Sequence, residues 1–125
     1  MQRVAVYRNL HKNCLSIQSR ERENYGKIIG YCKSIFLKRP EFIVREKGRL
    51  KVLKEGRKNV HAFVVGRCPD LKLWSWQDRD IKMGGNPTTK IFYNPYKYST
   101  FVDKVGNPVH KARAVVVNTN YIQAD

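Results

Sequence analysis

Three histidines, His11, His61 and His110, each stand near a basic residue in the chain. Cleaving RNA without a metal needs one imidazole to take the 2′-hydroxyl proton and another to protonate the leaving oxygen. A Lys or Arg must also steady the charged phosphorane. His11, His61 and His110 with Lys12, Lys58 or Lys111 are the right residue types. Nothing in their spacing brings them together, so a histidine-dependent ribonuclease stands as an alternative. Structural or ligand-contacting roles are the expectation. A three-histidine metal site is disfavoured in so cationic a setting, and no metal or cofactor is expected.

Two further constellations suit binding better than catalysis. Residues 45–58 carry Lys47, Arg49, Lys51, Lys54, Arg57 and Lys58 around a few apolar positions. Cationic donors along one surface are what phosphate contact requires. Residues 92–101 form an aromatic run in which Tyr96, Lys97 and Tyr98 could stack on bases and hold phosphate. Phe92, Tyr93 and Phe101 of the same run are expected in the core, because large aromatics usually serve packing. Trp74 and Trp76, two apart, would share one face of a strand.

Other chemistries lack their motifs. The chain holds no Walker A sequence, no G-x-G-x-x-G, no H-E-x-x-H, no zinc-finger spacing and no G-x-S-x-G. Its carboxylates number only ten, which disfavours the convergent acidic cluster of two-metal nuclease chemistry. Cys14, Cys32 and Cys68 are odd in number and form no C-x-x-C pair. They read as small buried hydrophobes in a reducing compartment.

The charge points to a polyanionic partner. Lys+Arg is 25 and Asp+Glu is 10, a net of +15 on 125 residues. Residues 1–60 hold 16 basic and 5 acidic residues, against 9 and 5 in residues 61–125. The excess is interleaved with apolar residues rather than gathered in a tail. Such a surface attracts DNA or RNA, and neutralising phosphates releases counterions. Acidic proteins and anionic membranes are weaker fits on charge alone. No apolar run approaches the ~20 residues that span a bilayer, and no signal peptide is evident.

These residues must be positioned by a small fold. The length suits a single domain over 1–125. Residues 3–19 read as a hairpin, with Asn9 and Asn13 in its turn. Residues 19–24 contain no apolar side chain and read as a solvated loop. Residues 27–37 read as one long strand in which Gly30 marks a bulge or bend. Residues 38–40 are expected to turn the chain into a short strand at 41–44. Residues 46–57 read as a surface helix, with Leu50 and Leu53 on its buried stripe and Gly56 ending it. A buried strand follows at 59–66. Residues 67–90 read as an irregular loop or flap, before strands at 91–93 and 112–117. The expected class is α+β: a curved antiparallel sheet or partial barrel with one short helix packed on it.

Several segments resemble a family of small basic proteins of tailed bacteriophages. They are Val6-Tyr7-Arg8-Asn9-Leu10-His11-Lys12, Gly56-Arg57-Lys58-Asn59-Val60-His61-Ala62-Phe63-Val64, Tyr93-Asn94-Pro95-Tyr96 and Pro108-Val109-His110. The resemblance covers most of the chain and carries over no activity or site residue. It implies a bacterial host cytoplasm and makes host takeover plausible, including inhibition of a nucleic-acid-based defence system. Region 67–90 would then be specific to this member.

The expected function is non-catalytic binding of nucleic acid, RNA or single strands ahead of duplex DNA. A host nucleoprotein is the alternative partner, and no membrane is expected. RNA versus DNA and the oligomeric state are left open.

Overall fold

The computed structural model describes residues 2–9, 11–56, 59–68 and 88–125. Among them are eight strands: β1 (Gln2–Arg8), β2 (Leu15–Ser19), β3 (Ile28–Cys32), β4 (Ser34–Val44), β5 (Ala62–Cys68), β6 (Thr89–Ile91), β7 (Ala114–Asn118) and β8 (Ile122–Ala124). One helix, α1 (Glu46–Glu55), joins β4 to β5. The strands form one sheet in the order β3-β2-β1-β5-β4-β7-β8-β6, and its ladders are antiparallel. The class is α+β as expected, though mainly β.

Alternation along the strands fixes the two faces. Val4 and Val6 of β1, Leu15 and Ile17 of β2, Val64 of β5 and Leu37 of β4 point to one side and are buried. The same cluster takes Val115 and Val117 of β7, Ala124 of β8 and Ile91 of β6. Strands near opposite ends of the order therefore share one core, which requires the sheet to curl. Among the described strands it does not close, since β3 and β6 end the order and do not pair. A cavity of about 410 Å³ remains inside the curl. Val6 and Val64 face Val117 and Ile122 across it. At its mouth the Arg8 guanidinium donates to the Thr119 carbonyl at 2.9 Å, tying β1 to the β7–β8 turn.

The hairpin at 3–19 forms as expected. Asn9 organises its turn, because Oδ1 accepts from the His11 and Lys12 amides at 2.8 Å. The long strand expected over 27–37 is instead two strands that break at Lys33. β3 pairs with β2, whereas β4 pairs with β5 and β7. The β2–β3 ladder steps from Gly30↔Ile17 to Ile28↔Gln18, so Ile29 beside Gly30 is the extra residue of a bulge. The turn expected at 38–40 is also a bulge. β4 runs through it, and its ladder with β5 shifts between Lys38 and Glu41. Gly66 makes this bulge possible, because an added Cβ would lie 3.0 Å from the Leu37 Cβ.

The strand expected at 59–66 runs instead over Ala62–Cys68, and Thr89–Ile91 replaces the strand expected at 91–93. The expected flap thus loses both of its ends to β5 and β6. Trp74, Trp76 and the rest of 69–87 lie outside the described residues. No helix among the described residues is long and apolar enough to cross a membrane.

Candidate nucleic-acid interface

α1 starts at Glu46 and ends where Gly56 adopts a left-handed φ of 69° and its amide donates to the Val52 carbonyl at 2.9 Å. Its packing corrects the sequence expectation. Val52 is the buried side chain, while Leu50 and Leu53 are 52 % and 40 % exposed. The inward face is Gly48, Arg49 and Val52, which a stripe built on two leucines three apart overlooks. Gly48 is there because the helix backbone rests directly on the chain entering β5. A Cβ at position 48 would lie 2.5 Å from the His61 Cβ and 3.1 Å from Asn59 Oδ1.

The contact is reinforced by a buried polar network. Asn59 Nδ2 donates to the Gly48 carbonyl at 3.1 Å. His61 is 6 % exposed, and its Nδ1 lies 3.0 Å from Asn59 Oδ1 and 3.1 Å from the Asn59 carbonyl. Both are acceptors, so Nδ1 carries the proton. Nε2 then accepts from the Tyr93 hydroxyl at 2.7 Å. Burial raises the Tyr93 hydroxyl above the ordinary tyrosine value, against the opposing pull of Arg49, which keeps it a donor.

Arg49 ties the helix to the aromatic run. Its Nε donates to the carbonyls of Tyr98 at 2.9 Å and Pro95 at 3.2 Å, and its Nη1 pairs with Glu46 at 2.8 Å. The segment it grips is a compact turn. The Lys97 and Tyr98 amides donate to the Asn94 carbonyl, and the Tyr96 amide donates to Asn94 Oδ1 at 2.9 Å. The basic helix and the aromatic run, some forty residues apart in the chain, therefore adjoin at Arg49.

Lys47, Lys51 and Lys54 are exposed at i, i+4 and i+7, one stripe that flanks the inward face of Gly48 and Val52. Tyr96 is 65 % exposed, Lys97 is exposed beside it and Tyr98 is half-buried. Among the described expected phosphate contacts, Arg49 has its guanidinium committed within the protein. Arg57 and Lys58 lie outside the described residues. Phe101 is buried and Tyr93 partly buried, but Phe92 is 46 % exposed, against the core role expected of it.

The histidines occupy dissimilar places. His11 is exposed on the β1–β2 turn and His110 is exposed beside β4, where its carbonyl accepts from the Phe42 amide. Both His61 nitrogens are engaged inside the protein. Lys12 lies 4.0 Å over the Tyr31 ring, and Lys111 is exposed. Among the described residues no three His, Cys, Asp or Glu side chains gather as a metal site would require. Cys32 and Cys68 are buried and Cys14 is half-buried.

Arg45, the first residue of the basic segment, places its guanidinium 4.9 Å over the Phe63 ring at the start of α1.

The family model described as Mycobacterium phage L5 gene 82 protein matches residues 1–125. The Gene 82 protein of Mycobacterium phage L5 is 39 % identical over 106 residues, which cover 80 % of this chain and 76 % of that relative. No solved structure matches.

Proposed function

We propose that this chain, which belongs to the Mycobacterium phage L5 gene 82 protein family, is a non-catalytic nucleic-acid-binding protein that takes RNA or single strands ahead of duplex DNA. The observation that carries the reading is the Arg49 clamp. It fastens α1, whose Lys47, Lys51 and Lys54 are exposed, to the turn that exposes Tyr96 and Lys97. Lysines supply phosphate contacts without sequence preference. An exposed tyrosine on the turn fastened to the helix offers a ring to an unpaired base, and such stacking is worth about 1–3 kcal/mol per base. A duplex hides its base faces, so the tyrosine favours unpaired strands.

The histidine-dependent ribonuclease fits less well. His61 could serve as acid or base only after giving up Asn59 or Tyr93. The family's phage origin favours a second reading, an inhibitor that docks on a host nucleoprotein of a nucleic-acid-based defence system. Such an inhibitor forms a stoichiometric complex that survives nuclease treatment, whereas a nucleic-acid binder loses its lysate partners on digestion.

The direct test is a titration of labelled single-stranded RNA, single-stranded DNA and duplex DNA across a salt series. Binding should weaken steeply with salt, unpaired strands should bind more tightly, and no strand should be cut. Affinity that ignores salt, or RNA cleavage in chelator that disappears with His11, His61 or His110, would overturn the reading.

A further inference from the structure

The outer face of the sheet sets like charges directly opposite one another. Arg3 of β1 pairs with Arg67 of β5, and Arg67 pairs on its other side with Lys38 of β4. One row across three strands therefore reads Arg3, Arg67, Lys38. Opposed residues share a face at close range, and like charges there are destabilising. The bulge in β4 adds another cation. Arg39 holds a φ of 48°, the left-handed region that long side chains avoid, and is the non-glycine residue with positive φ among those described.

Both costs fall at one spot. Arg3, Arg39 and Arg67 line a cavity of about 150 Å³ together with Glu41, Val65 and the Gly66 backbone. Arg39 and Arg67 are exposed, and neither has a side-chain hydrogen bond or ion pair among the described residues. Arg3 reaches Glu41 only at 4.0 Å, in a solvent-exposed pair. Lys111 stands opposite Glu41 on the neighbouring segment. The cations thus outnumber the one carboxylate of the cavity, and nothing described inside the protein neutralises them.

We infer that this cavity is a phosphate-binding site whose ligand is a terminal phosphomonoester, carried by a nucleotide or by the end of a nucleic-acid strand. Guanidinium forks match phosphate oxygens in pairs and remain charged at any relevant pH. Three forks around a concavity suit a dianion with three terminal oxygens. A diester within a continuous strand offers only two such oxygens and must pass over the surface rather than end in it. The bulge supplies the third fork, since a regular strand would alternate Arg39 away from the Arg3–Arg67 row. The strand-end form of the ligand rests on the nucleic-acid reading above; the phosphate site itself does not.

The test uses the full chain and four probes: inorganic phosphate, a nucleoside 5′-monophosphate, and two oligonucleotides of one sequence bearing a 5′-phosphate or a 5′-hydroxyl. The monophosphate should raise the melting temperature, and the phosphorylated strand should bind roughly ten-fold more tightly than the hydroxyl strand. Arg39→Gly relieves the left-handed backbone, so its melting temperature without ligand should not fall. It should nevertheless lose both the shift and the preference, and Arg67→Gln should do the same. Stabilisation by the monophosphate with neither oligonucleotide bound would support this site and overturn the nucleic-acid reading. Equal binding of both oligonucleotides, with no stabilisation by inorganic phosphate or the monophosphate, would overturn the site and leave that reading standing.

Discussion

Single side chains decide whether α1 sits where its lysines can work. Tyr93→Phe removes the donor to His61 Nε2 and strands a buried nitrogen, so it should cost about 1–3 kcal/mol in denaturant unfolding. The raised Tyr93 value also has a pH sign. That contribution is complete below the ordinary tyrosine range, near pH ~10, and is lost as pH rises through the folded value. The melting temperature of the wild-type protein should therefore fall more than that of the Phe variant in strong alkali. Gly48→Ala sets two effects against each other. Helix propensity gains about 1 kcal/mol, but the new Cβ would lie 2.5 Å from the His61 Cβ. Overpacking of this kind costs about 1–3 kcal/mol, so the variant should be less stable, although the same change on an exposed helix face stabilises. Burial pushes the Cys32 thiol up to about 12. In native protein at pH 8 it should resist alkylation, which mass spectrometry would read, and react once the chain is unfolded.

Among the elements, α1 and the turn at 103–107 make separable predictions. Replacing Lys47, Lys51 and Lys54 together by Gln leaves Gly48, Arg49 and Val52 untouched, so the helix should stay docked. If all three touch phosphate, the log–log salt slope should drop by about three units, roughly one for each contact. An unchanged slope would remove α1 from the interface. In the turn, Asp103 Oδ1 accepts from the Val105 and Asn107 amides at 2.9 and 3.0 Å. These bonds, led by Asn107, hold its carboxyl below the usual aspartate value. Its stabilising contribution is present above that value and is lost as pH falls through the folded one. Acid melts below pH ~4 should therefore fall more steeply for wild type than for Asp103→Asn.

For the molecule as a whole, charge and curvature act together. A net charge of +15 draws polyanions to every face, so long-range attraction cannot by itself locate an interface. The curled sheet separates two candidates. One is the α1 stripe with Tyr96 and Lys97, and the other is the arginine-lined cavity on the outer face of β1, β5 and β4. Because the two use different residues, combining the triple Gln variant with Arg67→Gln should give losses of binding free energy that add within about 0.5 kcal/mol, measured by titration at fixed salt.

The sequence by itself determined the features that rest on local chemistry. Asn9 made the hairpin turn legible, Gly56 marked the end of α1, and alternation in the early and late strands announced a sheet. The resemblance reached the right phage family, and counting residues gave the charge. What only the tertiary structure decided depends on neighbours remote in the chain. Residues 27–37 have the composition of one strand, yet they split because β2 and β7 offer different partners on either side of Lys33. Leu50 and Leu53 have the spacing of a buried stripe, but close approach to the chain entering β5 requires a residue without a Cβ, and that turns Gly48 inward. The opposition of Arg3, Arg67 and Lys38 arises from pairing register, which no local pattern encodes. Arg49 joins the basic helix to the aromatic segment because a guanidinium reaches the carbonyls of a turn far along the chain, and only the folded backbone brings those carbonyls within hydrogen-bonding range.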